Sequence, residues 1–287
     1  MYVPMYPLNK VCCITFPRSG HHLLVNCLLK YFSRDINYPA TEGHLTFKQC
    51  RQVLHAGDFH YCEYYNHCKS IPCTDPTVNF QKYHDIHMGF EFDRAKKFVI
   101  QYRHPIETIV SYYNFLILTS KELGMCIEDN EKNWSNFIYT DKPYSYLFSS
   151  LTSSVIYEIK RNVTHLLYRM GIFFPNQLLR DWKRFVKKWV INSNSDNSIF
   201  VYYGDLVNKP VDTLKEVISF MNPTRPIDEV LLEKIAQIVY KKNSVQSFKY
   251  YHVNVFKKME HFVVEEMKIL GIKSIFSLNR DRHLSHS

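Results

Sequence analysis

An α/β fold with a mostly parallel sheet flanked by helices is predicted by three observations. An apolar run, Val11 to Phe16, leads into a tight loop and then a stretch with Leu24, Val25, Leu28 and Phe32 near helical spacing. The pattern recurs at Lys97 to Tyr102, followed by Arg103, His104, Pro105 and a helical stretch from Ile106 to Leu118. It recurs again at Ile199 to Tyr203, followed by Asp205, Pro210 and a helix from Val211 to Met221. Strands that alternate with helices in this way build parallel sheets.

The bulk properties set the frame for these elements. The chain has 287 residues, enough for one large α/β domain, and residues 1–287 are read as a single domain. Hydrophobic residues make up 46% and aromatics 15%, which excludes a disordered chain. Lys and Arg outnumber Asp and Glu by 36 to 27, so an acidic ligand or surface is expected. No long basic block accompanies this charge, and no nucleic-acid partner is expected.

In chain order, the first loop is Phe16-Pro17-Arg18-Ser19-Gly20-His21-His22. It sits where the first helix begins, so unpaired N–H groups and a positive helix pole face any anion there. Gly20 permits close backbone approach, and Arg18 adds a fixed charge with several donors. An anion cradle and an ordinary βα turn with a surface Arg both fit these residues. Residues 33–77, punctuated by Gly43, Gly57, Pro72 and Pro76, read as loops and short helices. Val78 to His84 alternates as a strand and ends at Lys82-Tyr83-His84. Ligands collect at the carboxyl ends of parallel strands, and a His there titrates in the range a general base needs. His84 is the candidate, and His87 is close enough to compete.

At the second junction Arg103 closes a strand, and Ser111 lies two turns into the helix behind Pro105. Residues 119–197 read as mostly helical, with Trp182, Phe185, Val186 and Trp189 on one core face. A polar loop, 192–198, precedes the third strand. Further helices are expected over Ile227 to Lys242 and over Phe256 to Leu270, the last closed by Gly271. The tail, 280–287, is expected to fray.

Eight cysteines are present, among them Cys12, Cys13 and Cys27 in core elements. They form no disulfide framework, so thiols in a reducing, cytoplasmic setting are expected. His60, Cys62, His67, Cys68 and Cys73 cluster in sequence, but their spacing fits no standard zinc pattern. No metal site is assigned. No apolar run is long enough to span a bilayer, and the N-terminus lacks a signal-peptide core. The sequons at Asn133 and Asn162 are discounted for want of that signal.

Together, three motifs resemble those of the sulfotransferases that use 3′-phosphoadenosine 5′-phosphosulfate (PAPS). Residues 16–20 are similar to that family's 5′-phosphosulfate loop. Residues 102–113, with an Arg at the strand end and a Ser eight positions later, are similar to its 3′-phosphate motif. Residues 201–206 are similar to its Tyr-Glu-Asp-Leu strand end. The resemblance spans about residues 10–240 and implies a three-layer α/β fold with a P-loop-like phosphosulfate loop after the first strand. It implies PAPS as donor, adenosine 3′,5′-bisphosphate as product, and no required metal. Pro17, Arg18, Ser19, Gly20, His21 and His22 would hold the phosphosulfate. Arg103 and Ser111 would hold the 3′-phosphate. Tyr203 and Tyr240 would flank the nucleotide. Lys82-Tyr83-His84 resembles the family's Lys-Thr-His, which makes His84 the catalytic base, with Lys82 and Arg18 assisting.

The chain also departs from the family. Arg18 replaces a Lys, and His21-His22-Leu23 replaces Thr-Thr-Trp. The Gly-rich Arg-Lys-Gly clamp of the cytosolic animal enzymes has no counterpart beyond Lys241, Lys242 and Lys249. This puts the chain on a divergent branch. The acceptor is expected to be a small molecule or carbohydrate offering a hydroxyl or amine. Two other readings compete: a P-loop phosphotransferase, and a catalytically idle nucleotide- or RNA-binding protein. The first needs a Gly-x-x-x-x-Gly-Lys-Ser/Thr loop, whereas Gly20 is the only glycine in this loop.

Overall fold

The structure is a computed structural model. It describes residues 8–38, 54–63, 73, 75–85, 89, 97–122, 127–139, 155–193, 195–239 and 248–276. The chain divides into two compact units, residues 1–103 with 192–241 and residues 104–191 with 242–287.

The first unit holds the sheet. Its strands are β1 (Val11–Thr15), β2 (Leu54–Ala56), β3 (Phe59–Glu63), β4 (Phe80–Tyr83), β5 (Lys97–Tyr102) and β6 (Ser198–Tyr202). They lie in the order β2-β3-β4-β1-β5-β6. Every pair is parallel except the β2–β3 hairpin. β1 is central, with Cys13 opposite Lys82 of β4 and Val99 of β5. All five of its residues are buried, as a strand covered on both faces requires. The fold class is therefore α/β with a mostly parallel sheet, as expected.

Among the described residues, four helices belong to this unit. Helix α1 (His21–Ser33) follows the first loop. Of the others in this unit, α6 (Tyr203–Asn208) starts where β6 ends, then α7 (Pro210–Met221) and α8 (Glu229–Gln237) follow. Leu24, Val25 and Leu28 of α1 join Val99, Val201, Leu214, Val217 and Ile235 in one buried cluster. Burying each such side chain is worth roughly 1.5–3 kcal/mol. The helical spacing of these residues makes that burial simultaneous.

The second unit is helical: α2 (Pro105–Glu122), α3 (Glu131–Ile138), α4 (Val155–Arg169), α5 (Gln177–Val186), α9 (Val253–Phe262) and α10 (Val264–Ile269). A π-helical turn, Lys187–Ile191, extends α5. Trp182, Phe185, Val186 and Trp189 are buried, as their spacing predicts. Trp134 packs edge-on against Phe248 at 4.8 Å and Tyr113 at 5.2 Å. Asn130 and Asn176 cap α3 and α5 by accepting from the N–H groups of Asn133 and Leu179.

Some boundaries differ from expectation. The β2–β3 hairpin lies where loops and short helices were expected. Tyr203 opens a helix instead of ending a strand. The helix expected from Phe256 to Leu270 is two helices, parted at Val263, whose φ is −116°. Of the helix expected to reach Lys242, the described part ends at Gln237. Cys73 is disulfide-bonded, which departs from the all-thiol reading. Cys12, Cys13, Cys27 and Cys62 are free thiols. No helix among the described residues is long and apolar enough to cross a membrane.

Candidate anion-binding site

The parallel strands of the first unit carry the loop from Phe16, then Lys82, His84, Arg103 and Tyr203, at or beside their carboxyl ends. The loop after β1 is a tight turn. Ser19 N–H donates to Phe16 O at 3.2 Å, and Phe16 N–H donates to Gln101 O of β5 at 3.3 Å. Arg18 holds φ at 66°, in the left-handed region that non-glycine residues seldom enter. Such strain persists where the surroundings impose it, typically at binding sites. Gly20 is required twice over. Its φ is 87°, and a Cβ there would stand 2.3 Å from Cδ2 of Tyr203.

The turn delivers the start of α1 without a counter-charge. Gly20 supplies no side-chain cap, and the first turn of α1 contains no acid. The positive pole and the first N–H groups are thus left for an anion. The Ser19 side chain is fully buried, and its Oγ has no hydrogen-bond partner. A buried hydroxyl left in that state costs about 1–3 kcal/mol, which a bound anion would recover.

Arg103 and Tyr203 close onto the same loop. The Arg103 guanidinium stacks 4.0 Å above the Tyr203 ring, and its Nη1 donates to Arg18 O at 3.5 Å. One aromatic ring therefore touches both the glycine of the first motif and the arginine of the second. The nearby Tyr102 hydroxyl is pushed up to about 12, chiefly by burial and then by the charge of Asp205.

His84 follows β4. Its Nδ1 lies 2.7 Å from Thr15 O, an acceptor only, so Nδ1 carries the proton and Nε2 is the basic nitrogen. Lys82 is nearly buried, and its Nζ donates to His22 Nε2 at 3.4 Å. The same lysine draws the Cys13 thiol down, but burial outweighs it and the thiol stays protonated.

The two adjacent histidines part company. His21 turns into the core, where Nδ1 meets Cys13 Sγ at 3.4 Å and Nε2 meets Tyr61 Oη at 3.0 Å. Its ring is thereby committed to packing, and its backbone N–H is what it offers the loop. Ser111 lies on α2 of the second unit, and Tyr240 and His87 lie outside the described residues.

Among the described residues no three His, Cys, Asp or Glu come together as a metal site. His60 instead points both ring nitrogens at carbonyls, of Thr77 and Gly57. His67 and Cys68 lie outside the described residues.

Two residues escaped the sequence reading. Gln101 interrupts the apolar run of β5, and both of its side-chain polar atoms are buried without partners. That lone polar residue in a buried strand was the available signal. His104 stands ahead of α2, and its Nδ1 accepts from Ile106 N–H at 3.2 Å. Its proton therefore sits on Nε2, which faces Glu260 Oε1 of α9 at 3.3 Å.

No protein family and no curated protein matches the chain. Among solved structures, it is similar to mouse sulfotransferase SULT7A1 complexed with PAP, at 13% identity and a TM-score of 0.44, over 90% of this chain and 84% of that one. It is also similar to the sulfotransferase domain from the curacin biosynthetic pathway, at 12% identity and a TM-score of 0.32, over 90% of this chain and 98% of that one. At these scores neither neighbour assigns a residue or a ligand to this chain.

Proposed function

We propose that this chain transfers a sulfuryl group from PAPS to a hydroxyl or amine of a small-molecule or carbohydrate acceptor. One observation carries the reading: the loop after β1, Arg103 and Tyr203 form a single contact cluster at the carboxyl ends of three strands. The residues present suit such a donor. The uncapped start of α1 and the orphaned Ser19 hydroxyl suit the phosphosulfate. Arg103, oriented by Tyr203 and by Arg18 O, suits a further phosphate, which in PAPS is the 3′-phosphate. The resemblance adds Tyr240 to the adenine.

The donor, when bound, supplies an activated sulfuryl group. His84 Nε2 takes the proton of the acceptor as the new bond to sulfur forms. Thr15 O holds His84 in the required tautomer. The S–O bond to the phosphate breaks, and Arg18 with the first amides of α1 stabilises the charge that gathers there. Lys82 adds positive charge beside His22.

The test is calorimetric titration with adenosine 3′,5′-bisphosphate and with adenosine 5′-monophosphate, for wild type and Arg103→Ala. Tight binding of the bisphosphate alone, weakened at least tenfold in the variant, is expected. Equal affinity for the two nucleotides would sink the proposal and favour a phosphotransferase.

A further inference from the structure

One buried polar side chain of the first unit takes no part in the proposed reaction. Gln101 stands one residue before the end of β5, fully buried, with neither Oε1 nor Nε2 hydrogen-bonded among the described residues. An amide in that state destabilises the free protein, and a valine would fill a parallel strand there without that cost.

The neighbours of Gln101 show where the amide is aimed. In register it lies between Thr15 of β1 and Val201 of β6. Side chains alternate along a strand, so Val99 precedes it on the same face. That face is the one α1 covers, since Val99 and Val201 pack with Leu24, Val25 and Leu28. The sheet offers the amide nothing there. Val99 and Val201 are apolar, and Thr15 Oγ1 donates to Phe16 O. The loop after β1 starts at this level and is rooted on the same residue, because Phe16 N–H donates to Gln101 O. Arg103, two residues on, donates to Arg18 O of that loop. Ser19 Oγ, also on the loop, is a second buried polar atom without a hydrogen-bond partner. The helix that begins here has no side-chain cap and no acid in its first turn.

We infer that Gln101 is a further binding residue of this loop, with Nε2 donating to a phosphoryl or sulfuryl oxygen of the anion beside Ser19 Oγ. Oε1 accepts from a water carried in with the ligand. A neutral amide adds a donor to the anion without crowding another cation against Arg103. The inference rests on the loop being the anion site proposed above, and not on the identity of the donor.

The probe is inorganic pyrophosphate, titrated by calorimetry beside adenosine 3′,5′-bisphosphate. Gln101→Met is close in volume and removes the donor. It is expected to raise the melting temperature of the free protein by about 2–4 °C, because the unpaired amide is gone. It is expected to weaken both ligands at least tenfold. Gln101→Glu keeps the shape and puts a carboxylate where the donor was. It is expected to bind pyrophosphate at least tenfold more weakly than the wild type at about pH 8. The deficit should shrink to within threefold at about pH 5, where a protonated carboxyl donates again. An amide with a structural role alone would give no such profile. Binding that Gln101→Met leaves within twofold of the wild type would overturn the inference and assign the amide to a buried water. If Gln101→Met folds poorly, the profile of Gln101→Glu decides, and a deficit that stays constant with pH overturns the inference. Wild-type protein that binds pyrophosphate but does not prefer the bisphosphate to adenosine 5′-monophosphate would sink the sulfuryl-transfer reading and leave this one standing. Wild-type protein that binds neither probe would overturn both.

Discussion

Ser19 shows how a binding residue can be a structural liability. Its hydroxyl is buried without a partner, a state that costs about 1–3 kcal/mol in the unliganded protein. Ser19→Ala removes that cost and is expected to raise the melting temperature by about 2–4 °C. The same change removes a donor to the anion, so bisphosphate affinity should fall about tenfold. Scanning calorimetry and titration check the two effects together. A lower melting temperature with unchanged affinity would place the hydroxyl in the framework instead. His84 is the opposite case, committed through Nδ1 to Thr15 O and basic at Nε2. His84→Ala should leave bisphosphate affinity within threefold and lower turnover by about 100-fold or more, the usual contribution of a general base. Full turnover in that variant would move the base elsewhere.

Where elements begin and end decides which side chains reach the site, and the α2 start is held by a polar contact. His104 accepts from Ile106 N–H and turns its Nε2 toward Glu260, which also accepts from Ser274 Oγ at 2.5 Å and Ile275 N–H at 2.9 Å. Burial works to raise the Glu260 carboxyl, but His104, Ser274 and Ile275 outweigh it and hold it below its ordinary value of 4.5. A carboxyl depressed on folding adds stability above its unfolded value and loses it as pH falls through the folded one. Glu260→Gln keeps the shape but not the charge, and its amide nitrogen meets the Ser274 hydroxyl as a donor where the carboxylate accepted. Its melting temperature should lie below that of the wild type at pH 7, and the gap should close as the pH drops from about 5 toward 3. A gap that stays constant over that range would show that the charge contributes nothing.

At the scale of the whole molecule, what the sequence disclosed follows from what burial imposes on it. Val11 to Ile14 and Lys97 to Tyr102 announced themselves because central parallel strands must be apolar on both faces. The loop glycine was legible because few other residues accept a φ of 87° against the Tyr203 ring, and the two arginines because each follows an apolar strand. The β2–β3 hairpin was not, since three residues of β2 carry too little alternation to read. Nor was the π-helical turn, because its Trp189 keeps the spacing of an ordinary helical face with Trp182, Phe185 and Val186. The split of His21 from His22 was hidden because helical neighbours diverge by about 100°, and only packing decides which one faces Tyr61. The net charge of +9 was legible from composition alone, and it makes a kinetic prediction. A field summed over many cations attracts a multiply charged nucleotide before any contact forms, so it acts on association and not on dissociation. The Debye length shrinks from about 10 Å at 0.1 M salt to about 3 Å at 1 M, which erases that long-range part. Stopped-flow binding of a fluorescent adenosine 3′,5′-bisphosphate should therefore show an association rate that falls about tenfold between 0.05 and 0.5 M salt, with the dissociation rate changing less than twofold. A dissociation rate that rises while association holds steady would instead trace the attraction to short-range pairing with Arg18 and Arg103, with the remaining cations serving solubility alone.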